Sequence, residues 1–111
     1  MYRGDGHGRV VKLMLEDFSL TGAVPAEIGR LSALRVLILG VNELTSLPAE
    51  IGQLTSLMQL NLGSNHLTSV PAEIGQLTSL KWLVIRGNQL TSPPAEIRQL
   101  TSLVGLYLER N

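Results

Sequence analysis

The chain has 111 residues, of which 44% are hydrophobic, so it is long enough for one domain with a buried core and too short for two ordinary domains. Nine basic and nine acidic residues cancel, which leaves no overall field that would favour nucleic acid or an anionic membrane. The absence of cysteine excludes disulfides and thiolate metal sites, and the few aromatic residues mean that the core must be aliphatic.

The first nine residues, MYRGDGHGR, are polar and glycine-rich, and we interpret residues 1–9 as a flexible N-terminal leader. They contain no apolar stretch typical of a signal peptide, and no apolar run in the chain approaches the ~20 residues that a membrane span needs. The GDGHGR segment is not a phosphate loop, because it precedes a strand pattern and lacks GxxxxGK[ST]. Asp5 and His7 are too few ligands for a defined metal site. We therefore expect a cytoplasmic protein without a cofactor, unless a longer protein carries a targeting segment elsewhere.

One phrase recurs every 23 residues: LTSLPAEIGQLTSL at 44–57, LTSVPAEIGQLTSL at 67–80 and LTSPPAEIRQLTSL at 90–103. A looser copy, LTGAVPAEIGRLSAL, begins at residue 20 and has one extra residue. A fixed period of this length predicts a solenoid, in which stacked repeats share one continuous core. We treat residues 10–111 as a single domain with repeats 10–33, 34–56, 57–79 and 80–102 and a partial repeat 103–111.

Each repeat has two halves with different periodicity. The first half has a Leu-x-Leu centre, as in Leu37 and Leu39, which predicts a short strand with one face buried. Strands that recur at this interval stack in parallel, so each connection must cross over. In the second half, Pro48 suits the first helical position and Glu50 and Ile51 follow it, which predicts a short helix or turn that supplies the crossover. The glutamates of this half, Glu50, Glu73 and Glu96, form either an acidic stripe or a set of charges at helix starts, and we favour the second interpretation.

The segment LMQLNLGSNHL at 57–67 matches LxxLxLxxNxL, and in this respect the chain resembles leucine-rich-repeat proteins. LPAEIGQL at 47–54 is similar to the 23-residue repeats of intracellular Ras-group signalling scaffolds, whereas residues 8–31 are similar to the first repeat of plant-type arrays. The resemblance implies an α/β solenoid, curved, with a parallel β-sheet on its concave face and short helices or 3₁₀ turns on its convex face. It also implies that the asparagines of the turn after each strand bond the backbone of adjacent repeats: Asn42, Asn65, Asn88 and Asn111.

Three residues depart from the repeat pattern. Phe18 occupies the asparagine position of the first repeat, where an aromatic ring cannot make the same hydrogen bonds. Pro93 replaces Leu or Val and reduces the core volume beneath the last full repeat. Arg98 replaces Gly, which would strain the backbone if the position requires a positive φ. Because the sequence stops within a repeat, we expect a fragment or part of a longer array with an open sheet edge.

We find no catalytic set, since no serine has a companion histidine and aspartate at a plausible repeat position, and His66 occupies a variable surface position. The residues that differ between repeats are instead those that flank the inward leucines of the strands. Variable aromatic and basic residues on such a face are typical of protein interfaces, although β-branched residues also simply suit an exposed strand. The predicted partner-binding residues of this concave face are Lys12, Met14, Arg35, Val36, Ile38, Gln59, Asn61, Lys81, Trp82, Val84, Arg86 and Tyr107.

We therefore interpret the chain as a non-enzymatic protein–protein interaction module of signal transduction, a scaffold or adaptor that binds a protein or peptide on its concave face. The alternative is a structural fragment of a longer leucine-rich-repeat receptor or scaffold that binds nothing by itself. We expect no nucleic-acid partner and no membrane insertion, and either a monomer or a part of a longer array.

Overall fold

The computed structural model describes residues 2–111. Each of the five repeats contributes one short strand to a six-stranded sheet, residues 2–4 contribute the sixth, and two further strands form a second, smaller sheet. In spatial order, the strands of the main sheet are β1 (Tyr2–Gly4), β2 (Val10–Met14), β4 (Val36–Ile38), β6 (Gln59–Asn61), β7 (Trp82–Val84) and β8 (Gly105–Tyr107). The small sheet pairs β3 (Thr21–Ala23) with β5 (Glu43–Ser46). From β2 to β8 all neighbours in the main sheet are parallel, which confirms the predicted solenoid.

In the three inner repeats the Leu-x-Leu positions point into the interior, whereas Leu106 of β8 is 39% exposed. Leu37 pairs in register with Leu60, and Leu60 with Leu83, so equivalent leucines stack along the sheet. These three leucines are buried, and so are the residues two positions later, just after each strand: Leu39, Leu62 and Ile85. The buried hydrophobic residues are all Leu, Ile or Val, and they form one cluster that runs through the stack, as expected for a repeat protein whose units share a core.

The convex side consists of four 3₁₀ helices with the same length and spacing: η1 (Ala26–Arg30), η2 (Ala49–Gln53), η3 (Ala72–Gln76) and η4 (Ala95–Gln99). Pro48 lies at the N-cap of η2 with an extended backbone, not at the first helical position as the sequence suggested. Its carbonyl accepts a hydrogen bond from the Ile51 N–H at 3.1 Å, and Ile51 is buried against the sheet. Helices of this length are unstable alone, so burial of this isoleucine holds each one in place.

The glycine of each of the first three 3₁₀ helices allows close contact with the next helix. A Cβ atom at Gly52 would lie 2.6 Å from Oε1 of Gln76 and 2.9 Å from the carbonyl oxygen of Glu73. Gly52 does not have a positive φ, so the conformational reason considered from the sequence is wrong, and close packing is the actual reason. Arg98 is exposed in η4, and no further 3₁₀ helix of the described residues packs against that side, so its side chain fits without strain.

The core becomes thinner towards η4. Pro93 is exposed, whereas Leu47 at the equivalent position of an earlier repeat is buried. No residue of η4 is buried, although each of the other three 3₁₀ helices buries its isoleucine and glycine.

The first repeat differs from the others in the segment that precedes its 3₁₀ helix. Its extra residue lies where β3 pairs with β5, and the register of this pair slips between Gly22 and Ala23. Gly22 has a φ of +76°, which a glycine adopts without the penalty that a Cβ atom would bring.

Residues 2–4 of the predicted leader form β1, which pairs antiparallel with β2, an element that the sequence analysis does not foresee. The carboxylate of Asp5 closes the turn by accepting the His7 N–H at 2.7 Å and pairing with Arg9 Nε at 2.6 Å. The pKa of Asp5 lies below its usual value of 3.8, chiefly because the His7 N–H bonds the charged carboxylate. The hairpin covers the edge of β2 that the other repeats leave free.

None of the helices within residues 2–111 has the length and apolarity that a membrane span requires. Within the same residues, no group of three or more His, Asp or Glu side chains is arranged to hold a metal ion.

Candidate interaction surface

The turn after each strand is held by an asparagine whose amide joins adjacent repeats. Asn65 is 3% exposed, and its Nδ2 donates to the carbonyls of Leu39 at 3.0 Å and Leu62 at 3.1 Å. Its Oδ1 accepts the Leu44 N–H at 3.0 Å. Each such amide therefore connects its own turn to the preceding one and fixes how far apart the strands of the concave face lie.

The first repeat has no asparagine of its own at this position and is held by its neighbour. Oδ1 of Asn42 accepts the backbone N–H groups of Phe18 at 3.1 Å and Leu20 at 2.9 Å. The Phe18 ring itself is 54% exposed, so it neither fills the core nor replaces the amide. Asn111 makes the corresponding bonds in the last repeat, to the carbonyls of Ile85 and Leu108.

The residue before each asparagine has a positive φ, which the sequence analysis did not anticipate. Gly87 is at +73°, Ser64 at +55° and Val41 at +56°. A β-branched residue is a rare occupant of this region, and such strain costs on the order of 1–3 kcal/mol. The strained backbone is imposed by the turn that the buried asparagine requires.

The variable strand positions lie side by side in two parallel columns. One column runs through Lys12, Val36, Gln59, Trp82 and Gly105, and the other through Met14, Ile38, Asn61, Val84 and Tyr107. The members with large side chains are half-buried or exposed, and none of the twelve predicted partner-binding residues is buried. The strand register thus places the strand members of the predicted set on one continuous face.

Trp82 and Tyr107 form an aromatic corner on this face. A Cβ atom at Gly105 would lie 2.5 Å from Cε3 and 2.7 Å from Cζ3 of Trp82, and 3.2 Å from Cε2 of Tyr107. The indole therefore lies against the Gly105 backbone, with the phenol ring beside it. Because Gly105 has no side chain, the indole has room at this place, and 41% of Trp82 faces solvent.

Asn61 is less available than its column suggests. Its Oδ1 accepts the Gly63 N–H of the same repeat at 2.9 Å, so the oxygen serves the strand end.

Basic residues surround the apolar centre, and they differ in whether an acidic residue lies beside them and in which end of the strands they occupy. Arg86 lies 3.5 Å from Glu109, and both side chains are exposed, so this pair adds little stability. Arg35 lies at the edge where the strands begin and lines a groove with Asp5, Arg9 and Ser56. The predicted set is therefore a central face with a flanking basic edge.

A shallow hollow of about 280 Å³ extends the surface beyond β2, lined by Tyr2, Arg3, Lys12 and Met14. Sequence reasoning missed Tyr2 and Arg3, because the leader showed no periodicity that would predict a strand. Their only signal is Asp5, whose position between glycines is typical of a tight turn.

The most apolar cavity, about 260 Å³, lies inside the first two repeats and is walled by Leu13, Leu20, Val24, Ile28 and neighbouring residues. It offers no convergent polar groups that would orient a ligand, so it is a packing gap beside the longer turn of the first repeat.

The geometry agrees with comparisons to known proteins. The sequence model described as leucine rich repeat matches three overlapping segments, 9–67, 32–90 and 55–111. A comparison with curated proteins finds no match for this chain.

Three solved structures illustrate the similarity. A leucine-rich-repeat protein of Leptospira interrogans is 47% identical over 73% of this chain and 21% of its own, with a TM-score of 0.71. The complex of BIR3 and SERK2 from Arabidopsis thaliana contains a chain that is 30% identical, with 96% and 58% covered and a TM-score of 0.86. The ectodomain of the Arabidopsis receptor kinase GASSHO1/SCHENGEN3 is 34% identical, with 86% and 12% covered and a TM-score of 0.81.

This chain spans less than two thirds of each of these proteins. The family match extends over nearly all of it, and a strand followed by a 3₁₀ helix recurs in each of the four full repeats. The chain belongs to the leucine-rich-repeat family.

Proposed function

We propose that the chain is a non-enzymatic interaction module that binds a protein or peptide segment on its concave strand face, as a scaffold or adaptor in signalling. The observation that supports this most is the aromatic corner of Trp82 and Tyr107, which is exposed on the strand face beside Gly105. Aromatic anchors of this kind dominate binding energies in protein interfaces.

The similar structures support the same class of function. BIR3 and SERK2 form a complex, and the GASSHO1/SCHENGEN3 ectodomain is seen with CASPARIAN STRIP INTEGRITY FACTOR 2. The family fold is typical of interaction modules without catalytic activity, and a protein or peptide partner follows for this chain by analogy.

The size of the face limits the partner. Five parallel strands at ~4.8 Å spacing give a surface about 20 Å across. A standard protein interface buries about 800 Å² on each side, which is more than a patch of this width offers with short strands. The contacting part of the partner is therefore a peptide, a loop or the edge of a helix.

Substitution of Trp82 tests the proposal, with a partner identified by proximity labelling around the full chain. Trp82→Ala should weaken binding at least tenfold, since buried aromatic anchors contribute about 2 kcal/mol or more. The melting temperature should change little, because Trp82 is 41% exposed and does not belong to the buried core cluster. Gln89→Ala, an exposed position in the same repeat, is the matched control. If Trp82→Ala melts much earlier and binds as before, Trp82 is a packing residue and the proposed face is wrong.

A second candidate is a structural segment of a longer array that binds nothing alone, which the low coverage of the similar structures favours. A pull-down that compares this chain with a longer form separates the two. Capture by the longer form alone would support the structural segment. A monomeric state and a cytoplasmic location stay predictions, to be measured by sedimentation and by imaging of the tagged protein.

A further inference from the structure

The charges of this neutral chain are unevenly distributed over the fold, although Arg30 and Arg98 lie among the 3₁₀ helices. Arg3, Lys12, Arg35 and Lys81 follow the half of the concave side where the strands begin. The glutamates of the repeated phrase lie in the first turns of the 3₁₀ helices, on the opposite side: Glu27, Glu50, Glu73 and Glu96.

The four cations form a line that is interrupted at β6, where Met58 holds the place equivalent to Arg35 and Lys81. Arg3 pairs directly across from Lys12, and Lys12 is in register with Val36, the residue after Arg35. Lys81 precedes Trp82, so the line ends beside the aromatic corner. From β1 to β7 there are four strand intervals at ~4.8 Å, which gives a length of about 19 Å.

These cations lack internal partners. Within residues 2–111 the ion pairs are Arg9 with Asp5 and Arg86 with Glu109. Asp5, the acidic residue nearest the line, is occupied by Arg9 and by the His7 N–H. Arg3, Lys12, Arg35 and Lys81 therefore present positive charge to solvent, whereas the half of the face where the strands end is mixed in sign, with Arg86 beside Glu109.

We propose that the partner segment is acidic, with carboxylates on the line of Arg3, Lys12, Arg35 and Lys81 and an apolar or aromatic side chain on Trp82 and Tyr107. This inference rests on the proposed function and names the chemistry of its partner. An extended peptide advances about 3.3–3.6 Å per residue, so about six residues span the line. Complementary charge of this kind sets specificity and association rate more than the final affinity.

A protein segment fits this surface better than nucleic acid. The chain has no net positive charge, and the glutamates of the convex side repel a long polyanion that would wrap around the fold. The centre between the cations is aliphatic, with Val36 and Ile38, and such side chains bury an apolar partner residue well.

The single tryptophan makes the test direct, because Trp82 reports occupation of the surface by its own fluorescence. Three pools of 12-residue peptides share a central Leu-Tyr pair and differ in their flanks, which are Asp/Glu-rich, Ser/Gln-rich or Lys/Arg-rich. Oligo-uridine serves as the nucleic-acid probe. We expect the acidic pool to shift the Trp82 emission at about tenfold lower concentration than the neutral pool at low salt. The difference should shrink as salt shortens the Debye length to about 8 Å and below.

Charge reversal provides the matched comparison. Arg35→Glu combined with Lys81→Glu should abolish or invert the preference for the acidic pool. Arg30→Glu combined with Arg98→Glu changes the charge equally on the 3₁₀ side and should leave the preference unchanged. Thermal melting confirms that both double variants are folded.

The outcomes separate this inference from the proposed function. If the neutral or basic pool binds as tightly as the acidic pool, the concave face still binds peptides and the acidic partner is wrong. Tighter binding of oligo-uridine would also overturn it. If no pool changes the Trp82 emission, the concave binding function fails as well.

Discussion

Replacing Asn65 with alanine should be among the most damaging single changes in this chain. The amide of Asn65 is buried and makes hydrogen bonds to the carbonyls of Leu39, Leu62 and Gly63, and accepts the Leu44 N–H. Truncation leaves the Leu44 N–H inside the stack without its partner, and a buried unpaired group costs about 1–3 kcal/mol. Each of the three carbonyls keeps one other donor: the Asn42 amide for Leu39, the Asn88 amide for Leu62 and the Val41 N–H for Gly63. The three lost bonds to these carbonyls contribute about 0.5–1.5 kcal/mol each, so we expect a loss of about 3–5 kcal/mol in the free energy of unfolding.

Urea unfolding followed by circular dichroism measures this loss, with the slope m checked for each variant. The matched control is Asn111→Ala, which removes similar bonds to Leu90, Ile85 and Leu108 from an exposed side chain. Water replaces those bonds, so we expect a loss of about 1 kcal/mol or less. If Asn65→Ala costs no more than Asn111→Ala, the buried amide does not hold the repeats together and the reasoning is refuted.

Three further predictions concern the backbone. Val41→Gly should raise the free energy of unfolding by about 1 kcal/mol, because glycine relieves the strain of the positive φ, and Gly87→Val should lower it. If urea unfolding gives the same change in free energy for both variants, this reasoning is wrong. Gly52→Ala should lower the melting temperature, because its Cβ atom would clash with the next 3₁₀ helix, whereas Arg98→Ala should leave the melting temperature nearly unchanged. If Arg98→Ala lowers it more than Gly52→Ala does, the packing argument is wrong. The Asp5 carboxylate should stabilise the β1 hairpin fully above its ordinary pKa of 3.8, and this stabilisation should be lost as the pH falls through the lowered pKa of the folded state. Amide hydrogen exchange of residues 2–4 measures the effect. In the Asp5→Asn variant these amides should exchange rapidly at every pH.

The repeat period allowed most of the fold to be predicted. Leucines 23 residues apart can share a core only if the strands stack in register, and this condition also places Lys12, Val36, Gln59 and Trp82 in one column. The face follows from the same constraint, because residues between inward leucines must point outward.

Features that do not repeat were not predicted. The β1 hairpin depends on a few hydrogen bonds of Asp5, which a single short leader does not reveal as a pattern. A positive φ was considered as the reason for the glycines of the 3₁₀ helices, whereas the actual reason is close packing against the next helix. The sequence does not distinguish the two reasons, because both require glycine. Trp82 was recognised as variable, but its contact with Gly105 depends on the neighbouring strand, which its own repeat does not encode.

The row of glycines on the convex side determines where a new unit can be added. A second copy of residues 57–79, inserted after residue 79, would place Gly75 against each following glutamine and lengthen the concave face by one strand spacing, ~4.8 Å. A copy of residues 80–102 in the same interior position would instead set the Arg98 side chain where the next helix must lie. Duplication of an inner unit is therefore tolerated by this architecture, and duplication of the last full one is not.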